Sequence, residues 1–542
     1  MLNYIWLALI FIGIAVAFGT DIVDQSTDKF KNGRELPVEI ILDEILDKTP
    51  GKQNSITLKI FSGVMQNFYG EEIINEFDQT VKAVYDTSAD NFRIYFTISD
   101  AAPKIWKQIA KISGNKDDIA GILKIKATTD TISKHGTIIL EEVSFAKMKD
   151  VTGTAFDSAS TAVNIALGLI GIMALWLGLM KIAEEAGLIK KIAVVVRPIT
   201  KFLFPSVPHD HPAIGSIVMN ISANMLGLGN AATPFGLKAM EELDKLNEEK
   251  GTATNAMCMF LAINTAGFTL VPATAIAVRA VAGSSNPAII IGTSLFGSFC
   301  ATLMGILSAK TFDKFSTSGF SLIKFFKSNF IKLFAGLFIL SLIIILAVTG
   351  IFKTVFAHID ADVIKNSLQM VSIIAIPIII ISFASYAIFK KVKIYEVFVE
   401  GAKEGFNIAI RIIPYLVAML VAIGIFRAGG GMEILTYILS PITNLIGFPA
   451  EAVPMALLRP LSGSGSLGIM AEIISVNGAD SFIGVLVSTI MGCTETTFYV
   501  IALYFGSVNI KKTRYALAAG LLADTAGVLA SLLIVRLMFG LL

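Results

Sequence analysis

The sequence predicts an all-α polytopic membrane protein built of two inverted-topology repeats with re-entrant hairpins, plus a small α+β extracytoplasmic domain inserted after the first helix. Three observations predict it. Hydrophobic residues make up 54% and charged residues 16% of the 542, whereas about a quarter of the residues in soluble domains are charged. A hydrophobic block occurs twice, GLIKKIAVVVRPITKFLFP from Gly187 to Pro205 and GGMEILTYILSPITNLIGFP from Gly430 to Pro449, so that Pro198-Ile199-Thr200 falls on Pro441-Ile442-Thr443. Basic loop residues orient the helices before the two copies in opposite senses. Two related halves inserted head-up and head-down are the footprint of an alternating-access carrier, with its site between them near the membrane centre.

Taken in order, residues 1–20 read as a membrane helix. Leu2 to Gly19 is apolar, lacks a basic leader, and ends in AFGT before Asp21 with no A-x-A cleavage site, so it is expected to be retained. Residues 21–150 are charged and slightly acidic. Leu36 to Leu42, Ser55 to Ile60, Phe92 to Ile98 and Gly136 to Phe145 read as strands and Ala102 to Ile112 as a helix. This stretch shows no catalytic constellation, and His135 reads as an isolated surface residue.

Membrane segments are expected at about 158–180, 255–281, 287–309, 331–352, 368–389, 404–427, 481–506 and 514–539. Lys181, Lys190, Lys191, Arg197 and Lys201 are expected inside, as are the basic clusters at 310–332, 390–403 and 511–514. That places residues 21–150 outside. Ala213 to Ala232 and Ala450 to Ile474 are apolar enough to cross, but crossing would put the following basic loops outside. They fit as hairpins that enter and leave on one side, and their Gly, Ser and Asn content suits backbone lining a cavity. Lys190 to Phe204 mixes basic and apolar residues at helical spacing and reads as an interfacial helix; the competing reading is a short buried one. The resulting division is 1–20, 21–150, a first half 151–310, connecting helices 311–395 and a second half 396–542.

Several polar residues sit where lipid solvation makes them costly. Gly463-Ser464-Gly465-Ser466, after Arg459, Pro460 and Ser462, offers amides and hydroxyls in a segment read as unsuited to a continuous helix; the alternative is close helix packing by small residues. The first half offers Asn220, Ser222, Asn224 and Asn230, whose amides donate and accept. Gly492-Cys493-Thr494-Glu495-Thr496-Thr497 lies mid-span, where a charged carboxylate costs about 2.5–3.5 kcal/mol. Its counterpart is Asn264-Thr265-Ala266-Gly267, followed by Pro272. Paired interruptions of this kind mark the site in inverted-repeat carriers. Asp524 in LLADTAG either faces the same cavity or caps a kink. His209-Asp210-His211 reads as a solvated loop rather than a metal pair. The cysteines Cys258, Cys300 and Cys493 lie apart in apolar segments and imply neither a disulfide framework nor a metal site. No phosphate loop, Gly-x-Ser-x-Gly or His-Glu-x-x-His motif occurs, so the expectation is a protein that is not an enzyme and holds no cofactor.

At these same residues the chain resembles a known family. GIMALWLGLMKIAEEAGL, NISANMLGLGNAATPFGLKAMEELDKLN and TATNAMCMFLAINTAGF look like bacterial spore maturation protein A, whereas AIRIIPYLVAMLVAIGIFRAGG, LLRPLSGSGSLGIMAEII and GCTETTFYVIALYFGSV look like spore maturation protein B. The likeness covers residues 1–18 and nearly everything from 157 onward. It implies a fused A–B protein whose halves are gate-type, nucleoside-recognition domains, similar to parts of concentrative nucleoside transporters and of the bacterial ferrous-iron transporter. Residues 21–150 fall outside it.

The expected function is secondary transport of a small polar organic solute, nucleoside-like, amino-acid- or peptide-like, or a carboxylate, across a bacterial inner membrane. Asn220, Ser222, Asn224, Asn264 and Thr265 would face Arg459, Ser462, Ser464, Ser466 and Thr496, with Glu495 and Thr494 coupling to a Na+ or H+ gradient. An accessible Arg459 would favour an anionic cargo. The expected partners are the solute and the lipid bilayer, with a homo-oligomer left open; a net charge of +2 gives no basis for nucleic-acid binding. The rival from another class is a membrane scaffold or regulator acting through residues 21–150.

Overall fold

The computed structural model describes residues 2–42, 46–49, 51–70, 76–98, 102–113, 118–125, 133–208, 210–227, 232–316 and 361–541. The expected span at 331–352, Asn230 and His209 lie outside them. The chain divides into two compact units, one of Met1–Trp6, Asp157–Ile423 and Ile434–Leu542, the other of Leu7–Phe156 and Gly424–Glu433.

The second unit contains most of helix α1 (Leu2–Ser26) and a closed antiparallel barrel of β1 (Leu36–Ile41), β2 (Gln53–Ile60), β3 (Phe77–Asp86), β4 (Asn91–Thr97), β5 (Asp118–Ile125) and β6 (Ser133–Leu140). Alternation builds the barrel: Phe77, Gln79, Val81 and Ala83 of β3 point inward while the residues between them are exposed. Helices α2 (Ser62–Tyr69) and α3 (Lys104–Ser113) supply Met65 and Trp106 to its core. Two of the six strands, β3 and β5, were not expected, and β6 ends at Leu140 rather than Phe145. The reason is that β3 and β5 carry charged or glycine residues at alternate positions, which dilutes their apolar signal. His135 is exposed, as expected.

The barrel's entry and exit are clasped together. Asp21 near the end of α1 is buried, and its carboxylate accepts from the amides of Lys147 at 2.7 Å and Met148 at 2.9 Å, the open N-terminus of helix α4 (Ala146–Glu185). Asn32 and Val143 exchange two hydrogen bonds, at 2.8 and 3.0 Å, a little further out.

The first unit is helical. After α4 come α5 (Leu188–Leu203), α6 (Pro212–Met225), α7 (Thr233–Lys245), α8 (Asn255–Ala266), α9 (Ala273–Val281) and α10 (Ile290–Ser316). Then follow α11 (Ala361–Phe389), α12 (Ile394–Ala428), α13 (Gly431–Ile446), α14 (Val453–Leu458), α15 (Gly463–Asn477), α16 (Phe482–Cys493), α17 (Thr497–Ser507) and α18 (Ala516–Met538). Among the described residues, six helical stretches are long and apolar enough to cross a membrane: Trp6–Ser26, Ala146–Glu185, Pro287–Lys314, Ile394–Ala428, Phe482–Ser507 and Ala516–Met538. The chain is a polytopic membrane protein.

The two halves repeat one element order. A long helix (α4, α12) precedes a helix with an internal proline (α5 with Pro198, α13 with Pro441). A pair of shorter helices (α6 and α7, α14 and α15), a broken helix (α8 and α9, α16 and α17) and a final long helix (α10, α18) follow. In α5, Val194, Val195 and Phe202 are more than two-thirds exposed, and so is Tyr437 in α13, which suits helices with one face against lipid. The final helices α10 and α18 pack antiparallel: a Cβ at Gly297 would meet Ser531 Oγ at 2.9 Å, one at Gly527 would meet Ala301 Cβ at 3.2 Å, and one at Gly305 would meet Ala523 Cβ at 3.3 Å. Small residues on both sides let the backbones approach.

One expectation needs correcting. Gly463-Ser464-Gly465-Ser466 was expected to resist helix formation but forms the first turn of α15. Ser462 caps that turn by accepting from the Gly465 amide at 3.0 Å. Glycine costs least in a first turn, where the amides have no intrahelical partner to lose.

Candidate functional site

The site forms where two helix breaks cross. Gly267 ends α8 with φ +56, a left-handed conformation open to glycine at little cost, and Pro272 leads into α9. Thr494, with extended backbone, ends α16, and Thr496 precedes α17. The breaks are joined by the Glu495 amide donating to the Thr265 carbonyl at 2.9 Å. A Cβ on Gly267 would lie 2.8 Å from Glu495 Cγ, so the crossing demands glycine on sterics as well as on φ.

Each break is also tied to the pair of shorter helices in its own half. The Leu270 amide donates to the Met225 carbonyl at 2.8 Å, and the Phe498 amide donates to the Pro460 carbonyl at 3.0 Å. These bonds use backbone groups that an interrupted helix would otherwise leave unpaired.

Two cavities adjoin the crossing. The larger, about 550 Å³, is lined among others by Asn224, Asn264, Ser462, Ser464, Glu495 and Thr496. The smaller, about 180 Å³, is lined among others by Asn224, Gly267, Arg459, Thr494 and Glu495. Asn224, Thr274, Gly463, Met491 and Glu495 belong to both. The first turns of α7 and α15 both open on the larger cavity, through Thr233 and through Gly463 and Ser464. The dipoles of these helix N-termini favour anionic or acceptor-rich groups.

The candidate residues divide into lining and support. Asn224 donates to Asn264 Oδ1 at 3.0 Å, and Asn264 donates to the Phe260 carbonyl at 2.9 Å, which fixes the amide pair on the cavity wall. Arg459 is 4% exposed; its Nη2 donates to the Thr494 carbonyl and lies 3.7 Å from Glu495 Oε2. Glu495 keeps 44% of its side chain exposed. Asn220, Ser222, Thr265 and Ser466 do not line these cavities. Asn220 is buried and donates to the Ala232 carbonyl at 2.9 Å and to Tyr504 Oη at 3.4 Å. Ser222 and Ser466 bond back within the chain, to Val218 O at 2.7 Å and Ser462 O at 2.6 Å, while Thr265 holds Glu495.

Sequence reading missed Thr233, Thr274, Tyr415, Tyr499 and Tyr504, which also line the larger cavity. The signal for Tyr499 and Tyr504 was two tyrosines inside an apolar span, where each hydroxyl needs a polar face. Asp524 is 4% exposed and accepts from Thr497 Oγ1 at 2.5 Å. His211 caps α6, its Nδ1 accepting from the Ala213 amide at 3.2 Å. Among the described residues, no group of three or more His, Cys, Asp or Glu could hold a metal ion.

Broken helices and paired shorter helices around a shared polar cavity define a multi-pass membrane protein with a solute-sized site inside its helical unit. A family model for nucleoside-recognition gate domains matches residues 166–281 and 409–511. Spore maturation protein B of Bacillus subtilis is 53% identical over 173 residues, 32% of this chain and 97% of that protein. Spore maturation protein A of the same organism is 45% identical over 168 residues, 31% of this chain and 84% of that protein. Inner membrane protein YjiG of Escherichia coli K12 is 30% identical over 81 residues, 15% of this chain and 53% of that protein. No solved structure matches. The chain belongs to the nucleoside-recognition gate family, with parts homologous to spore maturation proteins A and B joined in one polypeptide.

Proposed function

We propose that the protein is a secondary transporter of a small polar organic solute, built of two inverted gate-type repeats with re-entrant hairpins and coupled to a Na+ or H+ gradient. What carries this is the position of Glu495, on a helix break, shared by two cavities and backed by Arg459. A carboxylate at that depth needs a functional or structural offset, and a group open to both cavities can report the occupancy of one to the other.

The antiparallel packing of α10 and α18, equivalent elements of the two halves, supports inversion. At 1.5 Å per residue, α6, α7 and α15 are each about 20 Å long, short of a bilayer's hydrocarbon core of about 30 Å, which supports hairpins that return to the side they entered. Asn224, Asn264, Ser462, Ser464 and Thr496 would bind the solute's polar groups, and the α7 and α15 N-termini would take an acceptor or a carboxylate. Asn220, Ser222, Thr265 and Ser466 would support that wall, and Thr494 would hold Arg459 beside it. No chemical step is assigned to the site. Loop charges support a location of residues 21–150 outside a bacterial inner membrane.

The test is solute uptake by proteoliposomes under imposed Na+ and H+ gradients. Wild-type uptake follows one gradient; Glu495→Gln loses that dependence by at least about tenfold, the scale of one lost charge-assisted contact. Unchanged gradient-driven uptake in the variant would remove Glu495 from coupling.

A further inference from the structure

On α18, Gly520, Asp524 and Gly527 are spaced four and three residues apart and share one face. A Cβ at Gly520 would lie 2.8 Å from Thr497 Cγ2 and 3.2 Å from Thr265 Oγ1, and one at Gly527 would lie 2.6 Å from Thr494 Cγ2. Asp524, between them, therefore faces the 494–497 break from outside the two solute cavities, whose linings do not include it. The two glycines bring the α18 backbone close enough for this short side chain to reach the break.

Among the described residues, three buried polar atoms there lack hydrogen-bond partners: Asp524 Oδ1, Thr494 Oγ1 and Arg459 Nε. Asp524 is 4% and Thr494 2% exposed, so bulk water does not serve them. The other Asp524 oxygen accepts from the Thr497 hydroxyl. The charged groups acting on Asp524 are Arg459 and Glu495. Arg459 lies 3.7 Å from Glu495, and these two offset each other. An ionised Asp524 would carry one negative charge with no partner of its own in a low-dielectric interior, beside the Thr494 hydroxyl with its acceptor lone pairs.

We propose that Asp524, Thr494 and Thr497 form a buried sodium site behind the helix break, separate from the solute cavity. A carboxylate and two hydroxyls are hard oxygen ligands, and a single dehydrated monovalent cation cancels the surplus charge. Sodium sites of carriers also form beside unwound helix segments. The site's role in coupling rests on the transport reading above, but sodium binding does not require transport.

The experiment uses the full chain purified in detergent, with choline chloride replaced by NaCl or KCl at constant ionic strength, read by 22Na+ binding and by thermal midpoint. The midpoint rises with Na+ far more than with K+. Asp524→Asn weakens sodium binding more than tenfold, and Thr494→Val and Thr497→Val, which keep the side-chain shape, weaken it several-fold. Asp524→Asn that binds sodium as wild type does overturns the site, as does a wild-type midpoint that follows pH and ignores sodium, the behaviour of a proton-holding carboxyl. Sodium binding without any solute uptake sinks the carrier reading and leaves the site standing; solute uptake by a protein that binds no 22Na+ does the reverse.

Discussion

The two helix breaks invite comparison, because they occupy equivalent positions in the two halves and are chemically unlike. The first, residues 267–272, is long, neutral and shaped by Gly267 and Pro272; the polar groups near it are the amides of Asn224 and Asn264. The second, residues 494–496, is short and gathers Arg459, Glu495 and Asp524. Each keeps a backbone bond to the pair of shorter helices in its own half, Leu270 to Met225 and Phe498 to Pro460. Duplication thus preserved the main-chain scaffold and left the side chains free to diverge, with neutral amides in one half and charged groups in the other.

The same contrast recurs at two clasps between the halves. Arg279, fully buried, donates to the Ala479 carbonyl and, at 2.9 Å, to Asp480, which also accepts from Ser284 and Ser285. Its counterpart, Arg514, donates to the Ala253 carbonyl at 3.0 Å and to Asn255 Oδ1 at 2.7 Å. One clasp is an ion pair and the other is charge to amide.

Several measurements break or sharpen this comparison. The largest effect is expected from Gly267→Ala, where left-handed backbone and the contact with Glu495 combine to cost about 3 kcal/mol, read as a drop in thermal midpoint in detergent. Thr494→Ala in the other break removes a buried methyl and a hydroxyl without a described partner and should cost about 1 kcal/mol, and a loss equal to that of Gly267→Ala would refute the contrast between the two breaks. Asp480→Asn strands a buried guanidinium and should cost about 2 kcal/mol, below the usual range for a broken buried pair because Asp480 keeps solvent contact. Arg514→Ala should cost about 1 kcal/mol, and adding Asn255→Asp to the Asp480→Asn chain should shift the dependence on ionic strength to the other clasp.

The smallest effect is a pH response. Burial alone would raise the Asp480 carboxyl, but hydrogen bonds from Ser284 and Ser285 and the charge of Arg279 outweigh it and hold the group below its ordinary value. Its contribution is complete above the unfolded carboxylate range of about 3.9 and is lost as pH falls through the lower folded value. Midpoints measured from pH 6 downward should fall less steeply in Asp480→Asn than in wild type.

The long spans, the duplicated block and the mid-span Glu495 were legible because lipid imposes a length and a cost that any sequence must show. What stayed hidden depends on chain far away. Nothing near Thr265 announces that its carbonyl holds the Glu495 amide, and nothing in LLADTAG tells which face of α18 Asp524 occupies. Ser222 and Ser466 looked like ligands because a hydroxyl bonded back to its own helix is indistinguishable by letter from one facing a cavity. In the barrel, β3 and β5 escaped because strand pairing is fixed by neighbours rather than by local composition.

The clasp that Asp21 makes with the start of α4, seconded by Asn32 and Val143, has an evolutionary and practical consequence. Because the polypeptide leaves and returns at one point, everything from Lys29 to Phe145 is a pendant that a short turn could replace without respacing the flanking helices. Such a module can be gained, exchanged or lost in a single genetic event. A trimmed protein lacking it therefore separates what the pendant does from what the membrane helices do.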